Sequence, residues 1–450
     1  MKIKRIISII LVATIVFMCS GCSLNFFSVE SLLAPPRQPG KNGEVQEAFN
    51  DLMKSSTLQL KTPSFGEYQT SIILRDLNND KNEEAIVFYS DASSVESSVR
   101  LALMEFRNKK WIISADVKGA GNGIYDVSFV DLNGDGVEEV FVNWSLLDAK
   151  TAKIISVYEL SLAGNRISLN ALANEYSNAQ TFLDFDGDGN NDLVLVYLDD
   201  TGTIQKSFLR IFSLNKIGQL IKYGEMALDS SISSVSSISY DIVKSDNGKK
   251  YARLFVDCMK NDRMVFTELV YWDINHSVPV RAFKTPSVST MRSVGIPCLD
   301  IDNDGLLEVP AVTKLFGDQA NFNVSRSNGN HTLSLVKWYH VKGDNKKGNY
   351  ITLYNSLDNY LFSFPWGNKV TVYYDSLRDS ILFCEWDEEN KIRKDELFSV
   401  SYRAQKAENE IIGQTLYEAE NGVYYYKITQ QGKLFGITDD KVISSFIKMN

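Results

Sequence analysis

The chain has 450 residues, a length that predicts two or three domains at roughly 100 to 200 residues per domain. With 44% hydrophobic, 23% charged and 11% aromatic residues, its composition is that of a globular protein rich in strands. The net charge of −9 argues against a nucleic-acid partner and against docking on anionic lipid by charge alone.

Residues 1–21 have the pattern of an export signal. A basic start is followed by an apolar run over 6–18, which is too short to span a bilayer. Loss of this segment removes three positive charges and changes the net charge from −9 to −12. The small residues Ser20 and Gly21 stand directly before Cys22.

The sequence "MCSGC" resembles a bacterial lipobox, although Cys19 stands where leucine is more usual. The resemblance implies that Cys22 carries acyl chains such as palmitate. These chains would anchor the protein to the cell membrane on its extracytoplasmic face. The alternative is a signal cleaved nearby with an unmodified Cys22. Three further cysteines, Cys258, Cys298 and Cys384, are too scattered for a disulfide framework and are expected to be buried.

Residues 22–64 are predicted to form a tether and a short helix. The stretch "LLAPPRQPGKNG" is too rich in proline and glycine for regular structure. In the following "EVQEAFNDLMK", Val45, Phe49 and Leu52 lie on one helical face. We expect this helix to pack on the first structural unit that follows.

A repeat covers residues 65–355. Acidic stretches begin at Asp76, Asp131, Asp184 and Asp300, at spacings of 55, 53 and 116 residues. The last spacing is about twice the others, so a unit without an acidic loop is expected around Asp241. Five units of about 57 residues result.

Each unit has the pattern of four antiparallel strands. One strand leads into the acidic loop, a continuous apolar run such as "EEVFVNW" follows it, and two amphipathic strands come next. We therefore predict an all-β propeller with about five four-stranded blades. Sandwiches or a solenoid are the alternatives.

The acidic loops present oxygen ligands in a regular register. Positions 1, 3, 5 and 9 supply side chains and position 7 a backbone carbonyl, a set that suits Ca²⁺. The predicted metal ligands are Asp76, Asn78, Asp80, Asn82 and Glu84; Asp131, Asn133, Asp135, Val137 and Glu139; Asp184, Asp186, Asp188, Asn190 and Asp192; and Asp300, Asp302, Asp304, Leu306 and Glu308. Three or four structural sites are expected, and the alternative is a polar hairpin without metal.

Two details shape the metal prediction. An EF-hand is excluded because position 12 is apolar and lies in a strand. A glycine at position 6 permits a positive φ in three loops, whereas the first loop has Lys81 there. The fourth unit has Val243 and Ser245 at positions 3 and 5, so no site is expected in it.

These loops within strand pairs resemble the FG-GAP or VCBS repeats of integrin-type propellers. With the tether and the C-terminal region, the chain is similar to clostridial-type lipoproteins that carry such repeats. Residues 356–450 are predicted to form a small α+β domain, with a weak likeness in pattern to PsbP-like domains. It should end in a helix capped at Thr438 or Asp439 that includes Val442, Phe446 and Ile447.

No catalytic motif is found. His276, His331 and His340 have no ligand spacing, and the glycine-rich residues 119–123 are interpreted as a turn. The polar insertion at 317–331 is a candidate recognition loop or a plain surface loop. The sequence favours non-catalytic binding or scaffolding of an envelope protein or glycan. The alternatives are a propeller hydrolase or lyase acting on envelope polysaccharide, and an assembly factor for another secreted protein.

Overall fold

The computed structural model describes residues 40–449. Within that range it leaves out residue 56 and the segments 93–97, 148–151, 164–165, 200–204, 245–247, 261–263, 294–295, 314–321, 327–328, 343–344, 356–358, 405–412 and 420–421. The predicted signal at 1–21 and the predicted lipidation site Cys22 therefore lie outside the described residues.

Five antiparallel sheets follow one another along the chain, as the repeat predicts. The first contains β1 (Leu58–Leu60), β2 (Ile72–Arg75), β3 (Glu84–Asp91), β4 (Arg100–Arg107) and β5 (Lys110–Lys118). The second contains β6 (Gly123–Val130), β7 (Glu139–Ser145), β8 (Lys153–Ala163) and β9 (Arg166–Ser177). The third contains β10 (Ala179–Leu183), β11 (Asp192–Asp199), β12 (Lys206–Leu214) and β13 (Leu220–Ala227). In each, consecutive strands pair, with β1 and β2 sharing one edge of β3.

The fourth and fifth sheets carry additions to this pattern. The fourth contains β14 (Ser234–Lys244), β15 (Lys250–Lys260), β16 (Met264–Asp273), β17 (Val278–Arg281) and the short β18 (Arg292–Ser293), which pairs with β16. The fifth contains β19 (Val309–Thr313), β20 (Phe322–Arg326), β21 (Gly329–Lys342), β22 (Asn345–Asn355) and β23 (Tyr360–Ser363). Strand β20 pairs with the start of β21, so the described part of the 317–331 insertion is a hairpin.

The C-terminal region forms a sixth sheet with two short helices. Its strands are β24 (Val370–Asp375), β25 (Ser380–Asp387), β26 (Ile392–Arg403), β27 (Gln414–Ala419) and β28 (Gly422–Ile428). Among the residues that the structure describes, the helices are α1 (Lys41–Met53), α2 (Pro286–Ser289), α3 (Gln430–Phe435) and α4 (Asp439–Ser445), and a 3₁₀ turn covers Gly367–Lys369. A small α+β unit is therefore present, as the predicted fold class has it, although β23, inside the predicted range 356–450, belongs to the fifth sheet.

The final residues differ from the sequence-based expectation. Thr438 caps α4 as predicted, its hydroxyl accepting from the amide of Lys441. The helix ends at Ser445, however, and β29 (Phe446–Lys448) then pairs with β23 of the fifth sheet. The prediction of Phe446 and Ile447 in a helix was wrong because an open strand edge satisfies their backbone groups.

The sheets pack face to face in chain order, as propeller blades do. Alternate residues of a buried strand point to opposite faces. Thus Val142 of β7 packs toward the first sheet, and the adjacent Phe141 packs toward the third. In β15, Leu254 faces the third sheet and Phe255 the fifth. This is why the second strand of each blade is apolar without interruption.

Different elements cover the outer faces of the first and fifth sheets. Val45 and Phe49 of α1 pack on Val87 and Tyr89 of the first sheet, while Leu52 stays 46% exposed. The fifth sheet packs on the sixth. Among the described residues, no hydrophobic cluster joins the first sheet to the fifth. The blades are therefore held by consecutive packing and capped by α1 and the C-terminal domain.

Candidate metal-binding loops

Four acidic loops occupy the same place in four blades, between the first and second strands. Three of them join β2 to β3, β6 to β7 and β10 to β11, and the last precedes β19, where Leu299 and Glu308 form a bridge. We number their nine positions from the first aspartate, and we name them loops 1, 2, 3 and 5 after their blades. The structure thus places the predicted ligands in repeated turns.

The first aspartate closes each turn by accepting backbone hydrogen bonds. Asp131 Oδ1 accepts from Gly134 N at 2.7 Å, and its Oδ2 accepts from Gly136 N at 2.9 Å. The equivalent aspartates accept from the amides of Asp80 and Lys81 in loop 1, Gly187 and Gly189 in loop 3, and Asp304 and Gly305 in loop 5. Each loop thereby turns its amides toward its own carboxylates.

Position 6 has a positive φ in every loop, as the glycines predict. Lys81 also adopts it, with φ of 71°, a conformation that costs a non-glycine residue free energy. Position 4 has a positive φ as well, at Asn79, Gly134, Gly187 and Asn303. This second positive φ was not predicted, although asparagine and glycine are the residues that tolerate it best.

The carboxylate at position 9 is buried in all four loops. Glu139 is only 1% exposed, and its Oε2 accepts from the amide of Leu132 at 2.9 Å. The side chain of Leu132 fills the core between blades. Glu84, Asp192 and Glu308 make the same bond seven residues back. Position 9 therefore fixes the loop on the core in addition to its predicted role as a ligand.

Burial places these carboxylates in an unfavourable electrostatic setting. Loss of solvent raises the pKa of Glu84, Glu139 and Asp192 to about 7, and the neighbouring aspartates add to the effect. Burial also raises the pKa of Glu308. A cation beside them would stabilise their charged forms.

Loops 3 and 5 bring three carboxylates together. Ligand atoms of Asp184, Asp186 and Asp192 lie within 4.8 Å of one another, as do those of Asp300, Asp302 and Asp304. In loops 1 and 2 position 3 is an asparagine, and the described carboxylates there form no such triad. The Oδ1 atoms of Asn78 and Asn133 accept from the amide at position 5. All the predicted metal ligands in these loops are oxygen atoms, a set that fits Ca²⁺.

The amide at position 7 has a constant partner. In every loop it donates to the carboxylate at position 5 at 2.8 Å, from Asn82, Val137, Asn190 and Leu306. In the predicted metal sites, these four residues would bind the ion through their backbone carbonyl oxygens.

Consecutive loops contact each other. Arg75, directly before loop 1, pairs with Glu138 of loop 2 at 2.5 Å. Asn191 of loop 3 donates to the carbonyl of Asp131 in loop 2 at 3.2 Å. The loops of the first three blades therefore form one continuous row, which the sequence alone does not reveal.

The fourth blade, in which no acidic loop is predicted, has a buried aspartate–arginine pair. The carboxylate of Asp241 in β14 pairs with the buried guanidinium of Arg253. It also accepts from the amide of Leu307 in loop 5 at 2.8 Å, and Arg253 donates to the carbonyl of Val341 in β21. This cluster joins the fourth blade to the fifth.

The three histidines have different surroundings. His276 is exposed and pairs with Asp273 in a turn. The side chain of His331 lies outside the described part of the chain. His340, which no motif singled out, lies beside loop 5, with its Nδ1 at 3.4 Å from Glu308 Oε1. Only the strand register reveals this neighbour, because the two residues are 32 positions apart.

The glycine-rich segment 119–123 has a packing role. A Cβ atom on Gly119 would lie 2.5 Å from the ring of Trp144, and one on Gly121 would lie 2.4 Å from the carbonyl oxygen of Ser145. Both glycines permit the link between the first two blades to approach β7 closely.

Trp338 of the fifth blade is a core residue. It is fully buried, and its indole N–H donates to the hydroxyl of Thr352.

The fold and the loops define a β-propeller protein with acidic blade loops. No protein family and no curated protein matches the chain. Similar solved structures include a protein from Lactobacillus plantarum, with 9% identity, a TM-score of 0.26, and coverage of 73% of this chain and 84% of that one. Another is the periplasmic gluconolactonase PpgL of Pseudomonas aeruginosa, with 11% identity, a TM-score of 0.26, and coverage of 76% and 95%.

The described residues contain no helix that is long and apolar enough to cross a membrane. The three cysteines Cys258, Cys298 and Cys384 are buried and free, as the sequence predicts.

Proposed function

We propose that the protein is a calcium-stabilised propeller scaffold, held on the extracytoplasmic face of the cell membrane through Cys22. Its role is the non-catalytic binding of an envelope protein or glycan. The observation that carries the calcium proposal is the shared hydrogen-bond geometry of loops 1, 2, 3 and 5. Four separate turns direct oxygen ligands in the same way, in the register of the FG-GAP and VCBS repeats that they resemble.

The residues suit a structural ion. In loop 3 the side chains of Asp184, Asp186, Asp188 and Asp192 would hold it, with the carbonyl of Asn190. When bound, the ion supplies positive charge among carboxylates that otherwise repel one another. Asp192 is the first residue of β11, so the site would connect the turn to a buried strand.

The fifth blade provides a surface for a partner. Strand β20 extends the blade as a hairpin with β21, through pairs from Arg326 and Gly329 to Phe322 and Leu333. The other blades have no such hairpin among their described strands. A polar extension on a rigid scaffold is a common position for recognition.

The test of the calcium proposal is the variant Asp186→Asn/Asp188→Asn. Asparagine keeps an acceptor oxygen for the amides of Asp188 and Asn190 but removes the charge. Asp184 is left unchanged because both of its carboxylate oxygens accept from backbone amides, and asparagine has only one oxygen. At about 1 mM Ca²⁺, with a dissociation constant of roughly 0.1–1 mM, loss of one site removes about 0.4–1.4 kcal/mol of unfolding free energy. In chelator the variant should be as stable as the wild type or more stable.

Denaturant unfolding with and without calcium measures this difference, and metal analysis of the dialysed protein counts the bound ions. The control Glu388→Gln/Glu389→Gln removes two carboxylates from the turn between β25 and β26 and should keep the full calcium response. A wild type whose stability does not change with calcium contradicts the proposal.

The membrane anchor is tested separately. Cys22→Ala should move the protein from the detergent-extracted membrane fraction to the released fraction, because the acyl chains would be missing. Cys258→Ala, at a buried cysteine, is the control and should remain with the membrane. Retention of the Cys22→Ala protein on membranes contradicts lipidation.

A further inference from the structure

Loop 5 differs from the other loops in the residue that lies across from its position 9 on the neighbouring strand. Val309 pairs with Tyr339, so Glu308, directly before β19, lies beside His340 of β21. By the same register, Glu105, Glu159 and Ser213 lie beside position 9 in loops 1, 2 and 3. Of the four loops, loop 5 alone has a nitrogen ligand at this place.

The ligand atoms of three residues converge there. Those of Asp304, Glu308 and His340 lie within 4.8 Å of one another. The Glu308–His340 distance of 3.4 Å is long for a hydrogen bond. It matches the separation of about 3.3–3.6 Å between neighbouring ligands of a tetrahedral ion with bonds of about 2.0–2.2 Å.

The cluster is also held in place. Glu308 is nine-tenths buried, and its Oε2 accepts from the amide of Ile301 at 3.0 Å, which leaves Oε1 directed toward His340. A ligating carboxylate fixed by a second bond is a regular feature of metal sites. His340 and Asp304 are reached by solvent, so an ion can enter.

We propose that Asp304, Glu308 and His340 form a site for a divalent first-row transition ion, with Zn²⁺ as the best match. Two carboxylates and one imidazole suit Zn²⁺ better than Ca²⁺, which takes oxygen ligands. Three protein ligands leave a fourth position open to water or to a group of a partner. The inference rests on the proposed function in so far as loop 5 is a cation site, and it changes which ion that loop prefers.

The experiment uses the full-length protein, stripped with chelator and returned to 1 mM Ca²⁺, and titrates Zn²⁺ by calorimetry. We expect one Zn²⁺ per chain in the wild type and binding at least tenfold weaker in His340→Ala. His276→Ala is the matched control, since His276 also lies beside a single carboxylate, that of Asp273, and it should bind as the wild type does. Co²⁺ titrated in place of Zn²⁺ should give a tetrahedral absorption spectrum that His340→Ala lacks.

Two results overturn the inference: no stoichiometric Zn²⁺ binding by the wild type, or equal binding by His340→Ala. If His340→Ala does not fold, His340→Gln takes its place, with thermal melts of both recorded. The calcium response of the same samples reports on loops 1, 2 and 3. If the wild type keeps its calcium response but does not bind Zn²⁺, only the zinc inference is rejected. If it shows neither a calcium response nor Zn²⁺ binding, the calcium proposal is rejected as well.

Discussion

Glu268 shows at the scale of one residue how this fold tolerates buried charge. Its side chain is fully buried in β16, with Oε2 at 2.8 Å from Nε of Arg281 and Oε1 accepting from the amide of Asp229 at 2.6 Å. Burial raises the pKa of Glu268 to about 7, despite the arginine. Like the carboxylates at position 9 of the loops, Glu268 is disfavoured in its ionised form by loss of solvent, here even with a guanidinium beside it.

This raised pKa predicts a pH dependence of stability. Between pH of about 4.5 and 7 the folded protein holds a proton on Glu268 that the unfolded chain has lost, so the free energy of unfolding falls as the pH rises. Across this range the raised pKa of Glu268 lowers the free energy of unfolding by up to about 3 kcal/mol. Above the folded pKa this loss stays constant. Urea unfolding in chelator from pH 5 to 8 measures the slope. Glu268→Gln should make it shallower, and the exposed control Glu389→Gln should not; equal slopes contradict the assignment.

Helix α1 illustrates the scale of a single element. Two of its residues, Val45 and Phe49, are fully buried against the outer face of the first sheet. Phe49 also makes an edge contact with Tyr89 at 5.1 Å between ring centroids. The helix is short, so its stability comes from this apolar face.

The variant Phe49→Ala should lower the free energy of unfolding by about 3–5 kcal/mol, because it leaves a cavity between α1 and the first blade. Leu52→Ala, on the same helix but half-exposed, should cost much less. Urea unfolding of both variants gives the comparison. Similar losses of unfolding free energy in the two variants would show that α1 does not bury the outer face of the first sheet.

At the scale of the whole molecule, the blades depend on contacts between consecutive sheets. Hydrophobic clusters join each blade to the next, and the Asp241–Arg253 pair adds a polar link from the fourth blade to the fifth. Both side chains of this pair are buried. Removal of one partner therefore leaves an uncompensated charge inside the protein.

Arg253→Met should lower the unfolding free energy by about 3–5 kcal/mol, since Asp241 would keep its charge without a partner. Arg253→Met/Asp241→Asn should recover a large part of that loss, because asparagine is neutral and can still accept from the amide of Leu307. A double-mutant cycle by denaturant unfolding tests the coupling. Additive losses would show that the two residues act independently.

The amino-acid sequence by itself determined the blades and their loops. Their signals are local: a turn of nine residues from Asp131 to Glu139 and apolar runs such as β7 specify their own conformation over a short stretch of chain. The positive φ at position 4 could have been predicted from the same data, because Asn79, Gly134, Gly187 and Asn303 are all residues that tolerate it.

Only the tertiary structure decided the contacts between distant segments. Strand β29 replaced a predicted helix because β23, more than 80 residues earlier, offers an open edge. His340 lies beside loop 5 because β19 pairs with β21, and loops 1, 2 and 3 form a row because the first three blades stack in order. Such juxtapositions depend on strand register and sheet packing, which the sequence of one segment does not contain.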